Sequence, residues 1–228
     1  MRYLFLPGAG GAGWIWHLVV EELHRRGHDA VAVDFAAGGT NGLTEYTRQT
    51  VEAAAGSDEV VLASQSMGAF TAALAAQRLP VRGLVFLNAM IPVPGETAGE
   101  WWAATGYEDA VRRNDLAAGR DPDTGFDLET YFTHDLTAEQ REELSHHEGS
   151  EAEEAFSTPC DFEAWPAVPT RVISGRDDRF FPLDFQRRVA RERLGLPIDD
   201  VDGGHLANLS HPVQVADLVL SPGRTLDR

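Results

Sequence analysis

The chain is 228 residues long, enough for one sizeable domain or one domain with an insertion, and a squeeze for two independent ones. It carries 36 Asp and Glu against 19 basic side chains, all Arg, for a formal net charge of -17, which argues against a nucleic-acid backbone or an anionic membrane as partner. The absence of Lys removes a P-loop lysine, a Schiff-base lysine and a lysine general base, and a lone Cys160 excludes an internal disulfide and a multi-cysteine zinc site.

The first predicted element is an apolar strand over Tyr3–Leu6, followed by GAGGAG at residues 8–13. These letters fit G-x-G-x-x-G, and Asp34 closes the next strand-like run about 20 residues on, as a dinucleotide-binding loop requires. Against that stands Pro7, placed where the strand should run into the glycine turn. A helix over Trp14–Arg26, a strand over Ala30–Asp34, a helix over Leu43–Ala55, a strand over Val60–Ala63, a helix over Met67–Arg78 and a strand over Gly83–Asn88 follow in turn. Continuous apolar runs suit strands buried on both faces, so the βαβ series predicts the α/β class, with a mostly parallel central sheet flanked by helices. After Asn88 the rhythm stops until a strand at Arg171–Ser174, a helix at Leu183–Leu194 and a weaker strand at Ile198–Val201. The stretch between is bounded by prolines and rich in Glu, but Trp101, Trp102, Tyr107, Phe126, Tyr131, Phe132, Phe156 and Trp165 are too many large apolar groups for disorder. It reads as an inserted, mostly helical cap at 91–166, leaving 1–90 and 167–228 as the core. No apolar run approaches about 18 residues and no secretory pattern opens the chain, so no membrane partner and a cytoplasmic location are expected.

The run VVLASQSMGAFTAALAAQRL sets Ser66 between the end of a strand and the start of an alanine-rich helix, the setting of a nucleophile elbow. A serine on so sharp a turn needs small residues two positions to either side, here Ser64 and Gly68, so that strand and helix can pass closely. Ser64 departs from the usual glycine, and a serine that merely caps the helix is the competing explanation. The downstream residues favour the elbow, because an acid and a histidine follow in the order Ser, acid, His, each after a late strand. In GRDDRFFP the hydrolase spacing G-x-x-D-x-x-x-P selects Asp178, with Asp177 as competitor. In DGGHLANL the Gly203-Gly204 approach singles out His205 among eight histidines. His134, in YFTHDL, either overhangs the site or belongs to the packing, and Cys160 beside Pro159 reads as packing. Strand carboxyl ends share one edge of a parallel sheet, so the three sites can meet there. Ser66 as nucleophile, His205 as base and then acid, and Asp178 fixing the imidazole tautomer make an acyl-transfer triad, with the Met67 amide as one oxyanion donor.

These residues resemble the α/β-hydrolase superfamily, and within it the small methylesterase and hydroxynitrile-lyase branch. The likeness includes the W-x-W pair Trp14-Ile15-Trp16 and an A-x-D-x-A-A-x-G segment at Ala32–Gly39, and it is weakest in the cap. It implies an α/β-hydrolase fold with a helical cap inserted before the acid-bearing strand. Pro7-Gly8-Ala9 then stand where the family has His-Gly-x, making the Ala9 amide the second oxyanion donor. A pocket for a small-molecule substrate is expected from Gly8, Trp14, Gln65, Trp101, Phe132, His134 and Leu206, with no cofactor and no metal. Oligomeric state is left open, a homodimer included.

The branch holds both esterases and cyanohydrin-cleaving lyases. The lyases carry a lysine after the catalytic histidine and a threonine in the oxyanion loop, where this chain has Leu206 and Gly8, so a small, largely apolar carboxylic ester is the favoured substrate. A hydrolase or lyase of a biosynthetic pathway, acting on a thioester, amide or C–C bond, is the same-fold alternative. A dinucleotide-binding protein leaves Ser66, Asp178 and His205 unexplained, and a catalytically silent binding module leaves a complete triad without purpose.

Overall fold

The computed structural model describes residues 1–35, 41–147, 149 and 151–225. Strand β1 (Arg2–Leu6) sends Leu4 and Leu6 into one apolar core and Tyr3 and Phe5 into another. The same division runs through β3 (Val60–Gln65), β4 (Val81–Leu87) and β5 (Pro169–Gly175), with Leu62, Phe86 and Val172 on the first face and Ala63, Leu87 and Ile173 on the second. Two buried faces are why these strands appear in the sequence as unbroken apolar runs, and they require helices on both sides. Helices α1 (His17–Arg25), α9 (Ala207–Ser210) and α10 (Pro212–Leu220) cover the second face. The first is covered by α2 (Leu43–Ala53), α3 (Gly68–Ala76) and α8 (Leu183–Leu194), of which α3 is buried almost all round, as its alanine-rich sequence allows.

With β2 (Asp29–Ala32) and β6 (Asp199–Val201) the strand order is β2-β1-β3-β4-β5-β6, all parallel, and a short β7 (Arg224–Thr225) pairs antiparallel with β5. Chain order reverses at β1, whose two neighbours are β2 and β3, and the crevice beyond the carboxyl ends of β1 and β3 is where such sheets take their ligands.

Several boundaries differ from the sequence expectation. The helix expected from Trp14 begins instead as a 3₁₀ turn, Gly13–Trp16, in which buried Trp16 donates its indole N–H to Leu6 O at 3.1 Å and packs on Phe5. Strand β2 stops at Ala32 rather than Asp34, because the Asp34 side chain turns to accept the Gly13 N–H at 2.8 Å. Residues 36–39 of the A-x-D-x-A-A-x-G segment lie outside the described residues. Helices α9 and α10 and strand β7 add to the elements expected from the sequence, and Pro212 in the first turn of α10 is a start signal.

Between β4 and β5 the chain forms α4 (Ala98–Ala104), α5 (Tyr107–Ala117), a π turn (Glu129–Thr133), α6 (Ala138–Ser145) and α7 (Glu153–Ser157). Capping boxes start α4 (Thr97 with Glu100) and α6 (Thr137 with Gln140). The base of this insertion is tied to α8 by a buried ion pair, Arg193 with Glu96, in which Arg193 also donates to Ile91 O at 2.7 Å. Among the described residues no helix is long and apolar enough to cross a membrane.

Candidate active site

Register brings the first two parts of the site together. Leu6 pairs with Ser64, so the Pro7–Ala9 loop leaves β1 directly beside the Gln65–Met67 turn that leaves β3. Ser66 occupies this turn with φ of 51°, a left-handed backbone that a non-glycine residue rarely adopts, as a nucleophile elbow requires. Gly68 must be glycine, since a methyl group there would lie 2.8 Å from Leu6 O and closer still to Pro7 O. A methyl group on Gly8 would likewise lie 2.9 Å from the Ser66 Cβ, which measures how closely the two loops approach. Ser64, two residues before Ser66, is fully buried in the sheet with its hydroxyl 3.5 Å from Val85 O. Among the described residues the amides of Ala9 and Met67 donate to no protein acceptor.

The acid and the histidine come from the ends of β5 and β6. His205 Nδ1 lies 2.9 Å from Asp178 Oδ2, with both side chains fully buried. The other carboxylate oxygen, Oδ1, accepts the Phe180 and Phe181 N–H groups at 2.9 and 2.8 Å, so two backbone donors hold Asp178 in place. Asp177 is exposed and makes no contact with His205; its amide donates to Gly203 O. The imidazole is caged by Phe132, Phe180 and Phe181, whose ring centroids lie 4.6 to 5.0 Å away. Its Nε2 is buried and has no protein partner among the described residues.

Two side chains that spacing did not single out for this role lock the strand ends to one another. Asn88, just past β4 and itself at φ of 44°, donates to Gly204 O and His205 O, both at 3.0 Å, and accepts the Gly175 N–H at 2.7 Å. Gln65 adds a donor to His205 O at 3.3 Å. Their partners are more than 80 residues away in the chain, so no local pattern announces them.

A cavity of about 290 Å³ opens beside the β1 loop. Gly8, Gln65, Phe132 and Leu206 are among its lining residues, with Ile15, Leu128, Leu144 and His147. Three expected lining residues are placed otherwise. Trp101 is wholly buried in the core, packed on Phe181 and Phe185 with its N–H on Ile91 O. Trp14 stands one layer behind the wall, stacked between His17 and His147 at 4.5 Å from each. His134 turns toward Gly204, and burial, helped by the Arg179 guanidinium, holds it below the usual histidine range. Glu151 reaches across from the insertion to the β1 loop, accepting the Gly10 N–H at 3.1 Å and the Tyr46 hydroxyl.

A larger cleft, about 1060 Å³, lies on the outer side of the acid loop against α5 and α8. Most of its arginines are committed to carboxylates: Arg120 to Asp115, Arg176 to Asp200 and Asp202, Arg187 to Asp184, Arg188 to Glu192. Cys160 is passive, with its thiol on Phe70 O and pushed up to about 12 by burial. No group of acidic, His and Cys side chains among the described residues is arranged to hold a metal ion.

A parallel sheet with a serine on a strained turn after its central strand, and a buried His–Asp pair beyond the last strands, is the architecture of an α/β hydrolase. The model of the alpha/beta hydrolase family matches residues 3–218, and the chain belongs to that family. A probable esterase of Oryza sativa, PIR7A, is 37% identical over 111 residues, a match that covers 43% of this chain and 42% of that protein. The chain thus aligns with well under half the length of this relative. An Arabidopsis thaliana α-hydroxynitrile lyase is 24% identical over 95% of the chain and 94% of its own length. Among solved structures, polyneuridine aldehyde esterase superposes with a TM-score of 0.75 at 18% identity, covering 96% of this chain and 97% of that one. The dinucleotide alternative falls with the family assignment. Asp34, which that alternative would set on a ribose, is spent on the Gly13 N–H.

Proposed function

We propose that the protein is a serine hydrolase of a small, largely apolar carboxylic ester, working through Ser66, His205 and Asp178. The observation that carries this is the buried Asp178–His205 bond, with the outer ring nitrogen uncommitted, at the same sheet edge as a serine held in left-handed backbone. Asp178 fixes the Nδ1–H tautomer, so Nε2 is the basic nitrogen that takes the Ser66 proton as Oγ attacks the acyl carbon. The amides of Ala9 and Met67 receive the charge that develops on the carbonyl oxygen, each contributing about 2.7–4 kcal/mol in comparable sites. The imidazolium then protonates the leaving alcohol, and water returning through the same base hydrolyses the acyl-enzyme. A cavity of about 290 Å³, near the low end of ligand sites and lined mainly by apolar groups, suits a compact ester with no charge on its acyl part. The insertion, 91–166, acts as a cap that supplies Leu128, Phe132, Leu144 and His147 to that cavity. A cyanohydrin lyase is disfavoured because the chain has no lysine and presents Leu206 after the histidine.

Short p-nitrophenyl esters test the reading. Ser66→Ala and Asp178→Asn are expected to lower kcat by on the order of 10³-fold or more, while Asp177→Asn leaves it within about twofold. Undiminished turnover by Ser66→Ala would overturn the assignment of the nucleophile, and loss confined to Asp177→Asn would overturn that of the acid.

A further inference from the structure

The segment YFTHDL draws attention to His134, but the side chain that grips the histidine loop is its neighbour. Asp135 Oδ2 accepts the Gly204 N–H at 2.7 Å and the Ser210 hydroxyl at 2.7 Å. These two donors bracket His205 in the chain. Ser210 Oγ lies in turn 3.0 Å from His211 Nδ1, and Gln140 from α6 donates to Leu209 O at 2.8 Å. Gly204 is therefore held at both ends, its carbonyl by Asn88 from the sheet and its N–H by Asp135 from the insertion. The approach is so close that a methyl group on Gly204 would meet His134 Nε2 at 2.8 Å and Asp135 Oδ1 at 3.0 Å. Gly203, with φ of 102°, makes the bend that exposes this N–H.

The element that delivers Asp135 is the π turn Glu129–Thr133, a rare geometry that recurs at functional sites. It also lays Phe132 against the His205 ring and into the cavity wall. A bond from a backbone N–H to a carboxylate is roughly twice as strong as one to a neutral acceptor, so this contact is well suited to fixing a loop.

We infer that Asp135 is a positioning residue: by clamping Gly204 and Ser210 it sets the orientation of the loop that carries His205, and so the direction in which the imidazole meets Ser66. This rests on the hydrolase reading given above. Misplacing a catalytic group by about 1 Å costs up to roughly 10²-fold in rate without weakening substrate binding.

The test compares the wild-type chain with Asp135→Ala, Asp135→Asn and Ser66→Ala, using p-nitrophenyl butyrate hydrolysis, the rate of fluorophosphonate labelling and thermal unfolding. Asp135→Ala is expected to lower kcat by roughly tenfold or more with KM within about twofold, and to slow labelling in proportion. Asp135→Asn, whose amide oxygen still accepts the Gly204 N–H, is expected to return kcat to within about threefold of wild type. Wild-type kcat in Asp135→Ala, a loss carried by KM alone, or Asp135→Asn as impaired as the alanine variant would each overturn the role. Should Asp135→Ala fail to fold, Ser210→Ala removes one of the two clamped donors; a fall of about threefold in kcat at unchanged KM supports the role, and no change overturns it. Ser66→Ala separates the two levels of inference: if it abolishes turnover while Asp135→Ala keeps wild-type kcat, only the positioning role fails, whereas persistent turnover in Ser66→Ala overturns the hydrolase reading itself.

Discussion

Two side chains, Ser66 and Asn88, occupy left-handed backbone at the ends of adjacent parallel strands, each at a cost of about 1–3 kcal/mol. Such conformations persist only where their surroundings over-determine them. Ser66 donates its N–H to Leu87 O and accepts from Met90 N, and Asn88 donates its N–H to Ile173 O in addition to its three side-chain bonds. Asparagine tolerates this region better than most residues and brings a donor and an acceptor to it. Replacing it with alanine orphans the buried Gly175 N–H, removes the donor to the Gly204 carbonyl and leaves the His205 carbonyl with Gln65. Asn88→Ala is therefore expected to lower the unfolding free energy by roughly 2–4 kcal/mol, read from urea denaturation, and kcat/KM by more than about tenfold. At this scale the legible residues were those bound to a local constraint: Gly68 by the crossing of strand and helix, Asp178 by its distance from Pro182, His205 by the glycines before it. Asn88 and Asp135 lie in ordinary-looking surroundings and act on partners far away in the chain, which spacing does not record.

Among the elements, the strands were readable because both faces of the sheet are covered and their apolar runs stay continuous. The later helices were not: α9 is a single turn, α10 follows it across His211, and the insertion has short helices whose order depends on contacts with the core. That insertion is fastened at separate points, by Glu96 to Arg193 of α8, by Glu151 to the β1 loop and Tyr46, and by Gln140 to Leu209. In the first, both partners are almost fully buried and Arg193 also lies over the Trp101 ring, so removing either partner alone leaves an uncompensated buried charge. Arg193→Ala would strand the Glu96 carboxylate, and we expect a loss of about 3–5 kcal/mol in unfolding free energy. Glu96→Gln, which retains a hydrogen-bond acceptor for Arg193, should cost less; an equal cost would show that the charge on Glu96 dominates.

For the whole molecule, one half-buried histidine, His134, links stability to pH. Burial first, and Arg179 second, hold His134 below 6.5, against the opposing pull of Asp135 and Asp178. In an unfolded chain this imidazole takes up its proton near pH 6.5, whereas in the folded protein it does so only at lower pH. The unfolded state thus binds more protons in that window, and stability falls as pH drops through 6.5 until the folded group also titrates. Urea unfolding between about pH 7.5 and pH 5.5 measures the slope, which His134→Gln should flatten. The stacked imidazoles around Trp14 have a different use. Because His147 forms part of the cavity wall and lies almost parallel to that indole, a molecule entering the cavity and moving His147 also changes the surroundings of the ring. Emission from Trp14 should then report occupancy, and a Trp14→Phe variant identifies its share of the signal: the site carries its own optical probe, readable with unlabelled compounds and without any chemical turnover.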